Sequence, residues 1–182
     1  MQKRTLLDGK KFQITIKRLC HQLIENHNDF SNTVLIGIQP RGSYFADRVQ
    51  QELSEILKIN TIQKGNLDIT FFRDDFRRKD GFVTASSNSI DFPIEGTNVI
   101  LFDDVLWTGR TIRAAMDALQ SYGRPDKVEL MVLIDRRFSR QLPIEPDYIG
   151  QQVDSLDSQL VKVSWKETEG EDKVILLSER NK

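Results

Sequence analysis

Residues 99–111 read VILFDDVLWTGRT, and this stretch carries the clearest structural pattern in the chain. The four apolar residues at its start predict a strand that is buried on both faces of a parallel sheet. After a short loop, apolar positions recur at helical spacing from Ile112 to Tyr122, which predicts a helix that ends at Gly123. The stretch therefore predicts a strand–loop–helix unit, with Asp103 and Asp104 at the point where the strand ends.

The loop and the first turn of the predicted helix have the features of an anion-binding site. Amide groups of a first helical turn lack intrahelical partners and lie at the positive end of the helix dipole, so a phosphate fits there. Thr108 and Thr111 add hydroxyl donors, and Gly109 lets a ligand approach the backbone. Asp103 and Asp104 are adjacent strand residues that point to opposite faces, which suits two ribose hydroxyls better than joint acid–base chemistry. We therefore expect a site for a ribose 5-phosphate.

A second unit of the same kind precedes this one. Residues 34–38 predict a buried strand, and Pro40, Arg41 and Gly42 lead from it into an amphipathic helix. The guanidinium group of Arg41 is a planar fork of donors that suits phosphate oxygens. Because strand–loop–helix units occur twice, we expect two anion sites at the carboxyl ends of neighbouring strands.

The remaining elements complete the predicted fold. We expect a helix over about 8–27, a third strand over 67–72 and a fourth over 128–134. Residues 160–165 and 174–177 predict edge or hairpin strands. The order of elements predicts an α/β fold with a doubly wound, mostly parallel sheet and a small C-terminal strand hairpin.

The bulk composition excludes several classes of protein. The chain has 182 residues, a formal net charge of -1 and 38% hydrophobic residues, which predicts a single domain over 1–182 without a general attraction for nucleic acid. Its one cysteine, Cys20, excludes disulfide scaffolding and a cysteine metal site. No apolar run is long enough to span a membrane and no signal-peptide pattern is present, so we expect a cytoplasmic protein without membrane contact.

Residues 99–111 resemble the signature of the type I phosphoribosyltransferases: four apolar residues, two acids, two apolar residues, any residue, and then Thr-Gly and a hydroxyl residue. The whole chain is similar to one group of that family, the pyrimidine-operon attenuator (PyrR) proteins, which are also uracil phosphoribosyltransferases. The motifs that carry this resemblance are Gly37-Ile38, Arg41-Gly42, Asp68-Ile69-Thr70, Arg73-Asp74-Asp75, Asp103-Asp104-Val105-Leu106, Thr108-Gly109-Arg110-Thr111, Met116-Asp117-Ala118-Leu119, Gly123-Arg124-Pro125, Leu142-Pro143-Ile144 and Asp147-Tyr148-Ile149-Gly150.

The resemblance implies that uracil and 5-phosphoribosyl 1-diphosphate react to give UMP and pyrophosphate. It implies a catalytic role for Asp103 and Asp104. It also implies Mg²⁺ carried mainly by the donor rather than by an all-protein metal site, a flexible flap over about 73–93, and a homodimer or higher homo-oligomer. The residues that it implies for substrate binding are Pro40, Arg41, Gly42, Arg73, Val105, Thr108, Gly109, Arg110, Thr111, Asp135 and Arg136.

One loop departs from the family pattern. The family typically reads Asp-Arg-Gly-His-Arg-Glu-Leu-Pro-Ile after the fourth strand, whereas residues 135–144 read DRRFSRQLPI, one residue longer and without histidine. The change leaves the donor site untouched and falls near the base pocket and the RNA-binding face of the family. Candidate contacts to a messenger RNA leader are Lys17, Arg18, His21, Arg137 and Arg140. Two alternatives stay open: a purine transferase of the hypoxanthine type without an RNA role, and a protein that is mainly an RNA-binding regulator.

Overall fold

A computed structural model describes residues 2–74 and 89–178, so residues 75–88 of the predicted flap lie outside the described part of the chain. The strands are β1 (Gln2–Leu7), β2 (Thr33–Ile38), β3 (Lys64–Leu67), β4 (Asn98–Leu106), β5 (Lys127–Arg137), β6 (Tyr148–Asp154), β7 (Leu160–Ser164) and β8 (Lys173–Ser178). The helices are α1 (Gly9–His27), α2 (Arg41–Leu57), α3 (Arg110–Leu119) and α4 (Lys166–Glu169), with 3-10 turns at Thr70–Phe72 and Gln120–Tyr122.

Five strands form a parallel sheet in the order β3-β2-β4-β5-β6. On one face, Phe102 and Leu133 pack in a buried cluster with side chains of α1 and α2. On the other face, Leu101 and Val132 pack in a second cluster with α3. Burial on both faces explains the continuous apolar runs of these strands. The predicted doubly wound α/β fold is confirmed.

The order of the strands reverses between β2 and β4. From β2 the chain crosses to β3 on one side, and then returns to form β4 on the other side of β2. Ligands of such sheets bind where the loops leave the two central strands in opposite directions. The pairing of β2 with β4 is recorded as far as Gly37 and Phe102, so Asp103 and Asp104 follow the last recorded pair at this point. The topology thus places the acid pair at the ligand-binding edge of the sheet.

Helix α1 begins and ends where the sequence predicts. The side chain of Asp8 accepts a hydrogen bond from the amide of Lys11 (2.9 Å), which caps the first turn. Cys20 is fully buried on the inner face of α1, and burial raises the pKa of its thiol to about 12. Cys20 is therefore a packing residue, as expected.

Within 2–74 and 89–178, no helix combines the length and apolar character that membrane spanning requires.

A second, antiparallel sheet has the order β1-β8-β7 and is called the small sheet below. The predicted hairpin corresponds to β7 and β8 and is confirmed. β1, which the sequence pattern did not predict, pairs with β8, with Gln2 opposite Ser178. Trp165, directly after β7, is fully buried against Phe12 and Phe45, which fixes the small sheet to α1 and α2.

The predicted third strand over 67–72 is wrong in its extent, because β3 covers Lys64–Leu67. The carboxylate of Asp68 accepts a hydrogen bond from the amide of Thr70 (2.7 Å). This local turn competes with continuation of the strand.

Two further details of the 99–122 unit differ from expectation. Asp103 and Asp104 lie within β4 rather than after it, because β4 continues to pair with β5 as far as Leu106 and Asp135. Met116 was expected on the buried face of α3 but is 41% exposed. The helix also tightens into the 3-10 turn at Gln120–Tyr122 before Gly123.

Candidate active site

A cleft of about 350 Å³ opens over the carboxyl end of β4, with the start of α2 on one side and β7 opposite. It brings together eight of the thirteen residues predicted for catalysis or substrate binding, and adds part of β7 that the sequence analysis did not include. The predicted residues that line it are Arg41, Asp103, Asp104, Val105, Thr108, Gly109, Thr111 and Arg136. The predicted residues that do not are Pro40, Gly42, Arg73, Arg110 and Asp135.

The acid pair occupies the floor of the cleft. Asp103 and Asp104 are 8% and 9% exposed, and Asp103 Oδ1 accepts a hydrogen bond from the amide of Asp104 (3.0 Å). Burial raises the pKa of Asp104 to about 6, and burial with the nearby charge of Asp104 raises the pKa of Asp103. The charges of Arg41 and Arg73 act in the opposite direction. Hydroxyl donors or a cation would stabilise the ionised pair.

The loop before α3 forms one end of the cleft. Gly109 has φ 89°, a conformation that glycine adopts readily, and Thr108 Oγ1 accepts a hydrogen bond (3.4 Å) from the amide of Arg110, the first residue of α3. Behind the loop, the carbonyl oxygen of Thr108 accepts hydrogen bonds from the amides of Gln141 (3.1 Å) and Leu142 (3.2 Å). Since Thr108, Gly109 and Thr111 all line the cleft, the positive end of α3 is directed at its interior. The arrangement suits a phosphate group.

Arg41 stands at the opposite side of the acid pair. The preceding Gln39–Pro40 peptide bond is cis, and Arg41 is the first residue of α2. One terminal nitrogen of its guanidinium group lies 3.9 Å from Asp104 Oδ2 and donates to the carbonyl oxygen of Val163. The other donates to Glu169 Oε1 (2.9 Å). The guanidinium group thus connects the loop after β2 with the small sheet.

Gly42 serves packing rather than lining the cleft. A Cβ atom at this position would lie 2.2 Å from the carbonyl oxygen of Phe102, which is a backbone atom of β4. Only glycine therefore lets the first turn of α2 lie this close to β4. Gly42 places Arg41 beside the acid pair, whereas Pro40 is exposed.

Arg110 and Asp135 direct their side chains to other partners. Arg110 donates to Gln141 Oε1 (2.8 Å) and pairs with Asp74, so its guanidinium group is engaged outside the cleft. Asp135 pairs with Arg140 and lines a neighbouring cavity after β5. Their expected roles at the substrate would have to come from the backbone or from a change of side-chain partner.

Trp107 is a lining residue that the signature treats as free to vary. Its indole ring is 44% exposed, and the guanidinium carbon of Arg136 stacks on it at 4.8 Å from the ring centre. Arg136 is buried and donates to Ser155 Oγ (2.9 Å), so its guanidinium group is held in place beside Trp107. Leu160 of β7 faces the same cleft and is 56% exposed. The sequence did contain a clue to Trp107, because a large aromatic residue stands between the acid pair and the loop before α3.

Four of the five candidate RNA contacts bind within the chain. Lys17 pairs with Glu52 (3.6 Å), Arg137 with Asp154 (2.6 Å), and Arg140 with Asp135. Arg18 donates to the carbonyl oxygens of Ile149 (3.0 Å) and Gly150 (2.6 Å). His21 is exposed on α1. Arg18 and Arg137 both contact residues of β6. In the described part of the chain, however, no hydrogen bond or ion pair joins the candidate residues of α1 to Arg137 or Arg140.

Comparison with known proteins assigns the family. A model described as the phosphoribosyl transferase domain matches residues 2–168. "Bifunctional protein PyrR" of Desulfosudis oleivorans is 44% identical over 177 residues, which cover 97% of both chains. The protein of that name from Actinobacillus pleuropneumoniae is 42% identical over 176 residues, or 96% of both chains.

Solved structures show the same fold at lower sequence identity. A hypoxanthine phosphoribosyltransferase of Staphylococcus aureus has a TM-score of 0.70 at 20% identity, covering 97% of this chain and 93% of that one. A hypoxanthine-guanine phosphoribosyltransferase of Bacillus anthracis has a TM-score of 0.70 at 18% identity, covering 97% and 98%. The fold and the matching relatives agree, and the chain belongs to the phosphoribosyltransferase family and, within it, to the PyrR proteins.

Proposed function

We propose that this phosphoribosyltransferase uses uracil as its acceptor and 5-phosphoribosyl 1-diphosphate as its donor. The observation that carries the proposal is the single cleft that combines the loop over 108–111, the acid pair and Arg41. The donor consists of a phosphate, a ribose and a pyrophosphate. The loop, the acid pair and Arg41 suit these three parts in that order, and they lie side by side in the cleft. The PyrR relatives favour a pyrimidine over a purine base.

In the proposed reaction, the bond between ribose C1 and the pyrophosphate oxygen breaks, and pyrophosphate leaves with the bonding electrons. A bond forms between C1 and uracil N1, and the N1 proton leaves to the solvent with the released pyrophosphate. Thr108, Gly109 and Thr111 hold the 5-phosphate throughout. Asp103 and Asp104 accept hydrogen bonds from the ribose hydroxyls and stabilise the positive charge that develops on the sugar. The guanidinium group of Arg41 stabilises the leaving pyrophosphate.

The residues of the cleft fit Mg²⁺ that arrives with the donor. Carboxylate oxygens are hard ligands that Mg²⁺ prefers, and a cation near Asp103 and Asp104 would stabilise their ionised forms. Within the described ranges, no group of three or more His, Cys, Asp or Glu side chains could hold a metal ion. When bound, Mg²⁺ supplies neutralisation of the charge on the pyrophosphate.

We assign the base to the apolar wall formed by Val105, Trp107 and Leu160. The flat indole ring suits stacking against a planar base, and its support by Arg136 holds it in place. The decisive experiment measures base-dependent pyrophosphate release with uracil, hypoxanthine, guanine and orotate. We expect activity with uracil, whereas activity with hypoxanthine alone would establish the purine alternative. Release with none of the bases would contradict the proposal.

The PyrR membership also supports binding of a messenger RNA leader that responds to UMP. The basic residues Lys17, Arg18 and Arg140 are exposed or half-buried, and RNA phosphates would have to replace their present partners. Binding should therefore weaken with salt and on substitution of each by alanine. Filter binding with a leader transcript tests this. An RNA affinity that does not change with UMP would contradict a sensing role. Enzymatic activity without RNA binding would show that the protein is an enzyme without an RNA role.

A further inference from the structure

Arg41 belongs to α2, but its guanidinium group is held by β7 of the small sheet and by α4, the short helix between β7 and β8. One terminal nitrogen donates to the carbonyl oxygen of Val163 in β7, and the other donates to Glu169 Oε1 (2.9 Å). The side chain of Arg41 is 38% exposed, so it is held at the rim of the cleft. These contacts fix the guanidinium group in one orientation beside Asp104.

Glu169 is itself held in place by its other oxygen. Oε2 accepts hydrogen bonds from the amide of Trp165 (2.9 Å) and from the hydroxyl of Thr168. These hydrogen bonds, with smaller contributions from Arg41, lower the pKa of Glu169, so its carboxylate is ionised at neutral pH. Trp165 is fully buried. One oxygen thus fixes the carboxylate to a rigid segment and the other is presented to Arg41.

We propose that Glu169 is a positioning residue that orients Arg41 for the pyrophosphate group of the donor. The inference rests on the proposed function. A guanidinium group has five N–H donors, so the two contacts to the small sheet leave others for pyrophosphate oxygens. A side chain that is ordered before binding loses less conformational entropy when the ligand arrives. Glu169 is 128 residues from Arg41 in the chain, which is why neither the signature nor the loop after β2 indicates it.

Glu167 provides a matched control on the same short helix. Its two carboxylate oxygens accept hydrogen bonds from Arg48 Nε (2.6 Å) and Nη2 (3.1 Å), and it has no recorded contact with Arg41. Arg48 also binds Asp172, which keeps α2 attached to this region when Glu167 is altered. Glu167→Gln therefore removes a charge from α4 and leaves the partners of Arg41 in place.

The experiment measures binding of inorganic pyrophosphate, of the donor and of UMP by calorimetry in the wild type, Glu169→Gln and Glu167→Gln. We expect Glu169→Gln to weaken pyrophosphate and donor binding by roughly tenfold, equal to about 1.4 kcal/mol, with UMP affinity unchanged. Glu167→Gln should leave all three affinities unchanged. In an Arg41→Ala background, Glu169→Gln should have no further effect, because the group that it orients is gone.

Three results would overturn the inference while leaving the proposed function in place. Tighter pyrophosphate binding by Glu169→Gln would show that Glu169 competes with the ligand for Arg41. Equal losses in Glu169→Gln and Glu167→Gln, or loss of UMP affinity as well, would show a merely structural role. Unchanged pyrophosphate affinity would show that Arg41 needs no support. A wild-type protein that binds neither the donor nor UMP would instead overturn the proposed function and this inference together.

Discussion

At the scale of single residues, burial of the acid pair in the cleft lowers the stability of the folded protein when both acids are ionised. Asp104 is 9% exposed and its pKa is raised to about 6, mainly by burial, while an unfolded chain would leave it near its ordinary value. The folded state therefore holds the proton more tightly than the unfolded state. The contribution of Asp104 to stability is lost as the pH rises from the unfolded value of 3.8 towards about 6. Two ionised acids without substrate are thus expected to destabilise the protein at neutral pH.

Asp104→Asn should relieve this effect and abolish activity. At about pH 7.5 we expect the variant to gain on the order of 1–3 kcal/mol in free energy of unfolding. The gain should shrink towards about pH 4.5, because the wild-type carboxyl group is then protonated in the folded state. Calorimetric unfolding of both proteins across this range measures it. A variant that is less stable at every pH would show that the Arg41 contact outweighs the burial of charge.

Gly42→Ala should be strongly destabilising, because its Cβ atom would lie 2.2 Å from a backbone oxygen that cannot move aside. We expect a loss of roughly 2–4 kcal/mol in urea unfolding. Gly9→Ala is the matched control, since the nearest atom to its Cβ is 3.6 Å away. Equal denaturation midpoints for the two variants would contradict the packing role of Gly42.

At the scale of elements, we propose that the β4–loop–α3 unit binds the 5-phosphate and that the β2–loop–α2 unit binds the pyrophosphate. The two units therefore make separable contributions to the affinity of the donor. UMP contains the phosphate that the first unit binds and lacks the pyrophosphate that the second unit binds. Comparing UMP with inorganic pyrophosphate thus reports on each unit independently.

Thr111→Val tests the first unit. The substitution removes a hydroxyl donor from the first turn of α3 with little change in shape. We expect UMP and donor binding to weaken by roughly tenfold, with pyrophosphate binding unchanged. Thr97→Val serves as the control, because the Thr97 hydroxyl donates to the carbonyl oxygen of Ile94 outside the cleft. Equilibrium binding measures both, and an unchanged UMP affinity in Thr111→Val would remove Thr111 from the phosphate site.

At the scale of the whole molecule, the two ends of the parallel sheet have different tasks. The cleft lies at the carboxyl ends of the strands, whereas a buried polar cluster joins α1, β2, β5 and β6 at the other end. Its centre is Glu129, with Oε2 2.7 Å from His27 Nε2 and Oε1 2.7 Å from Lys127 Nζ. His27 Nδ1 lies 3.1 Å from Thr33 Oγ1, and its Nε2 lies 3.2 Å from the hydroxyl of Tyr148.

Glu129→Gln should therefore change stability without changing ligand binding. Loss of the buried charge leaves His27 and Lys127 with a weaker acceptor, and we expect a loss on the order of 1–3 kcal/mol in free energy of unfolding. Donor and UMP affinities should stay at wild-type values. Replacement of the exposed Glu25 by Gln is the control for removing an acid from this end of the fold. A parallel loss of donor affinity would show that the two ends are coupled.

Strands β2, β4 and β5, helices α1 to α3 and the acid pair could be predicted from sequence pattern, because each depends on residues that are adjacent or one helical turn apart. Strand β6 (Tyr148–Asp154) was not predicted. The third strand was predicted over 67–72 but lies at Lys64–Leu67, so only Leu67 is shared. The hydrogen bond from the amide of Thr70 to the side chain of Asp68 forms a local turn where β3 ends. The spacing of apolar residues gives no indication of such a turn.

The rest of the site depends on contacts between elements that are distant in the chain. Gly42 was predicted to bind substrate, and the approach of α2 to β4 shows why it must be glycine. Trp107 and Leu160 share a cleft only because the small sheet lies against β4, and Glu169 reaches Arg41 across 128 positions of the chain. These contacts form because the two sheets pack together, and the residues that they join are far apart in the chain and not regularly spaced. A local sequence pattern therefore cannot predict them.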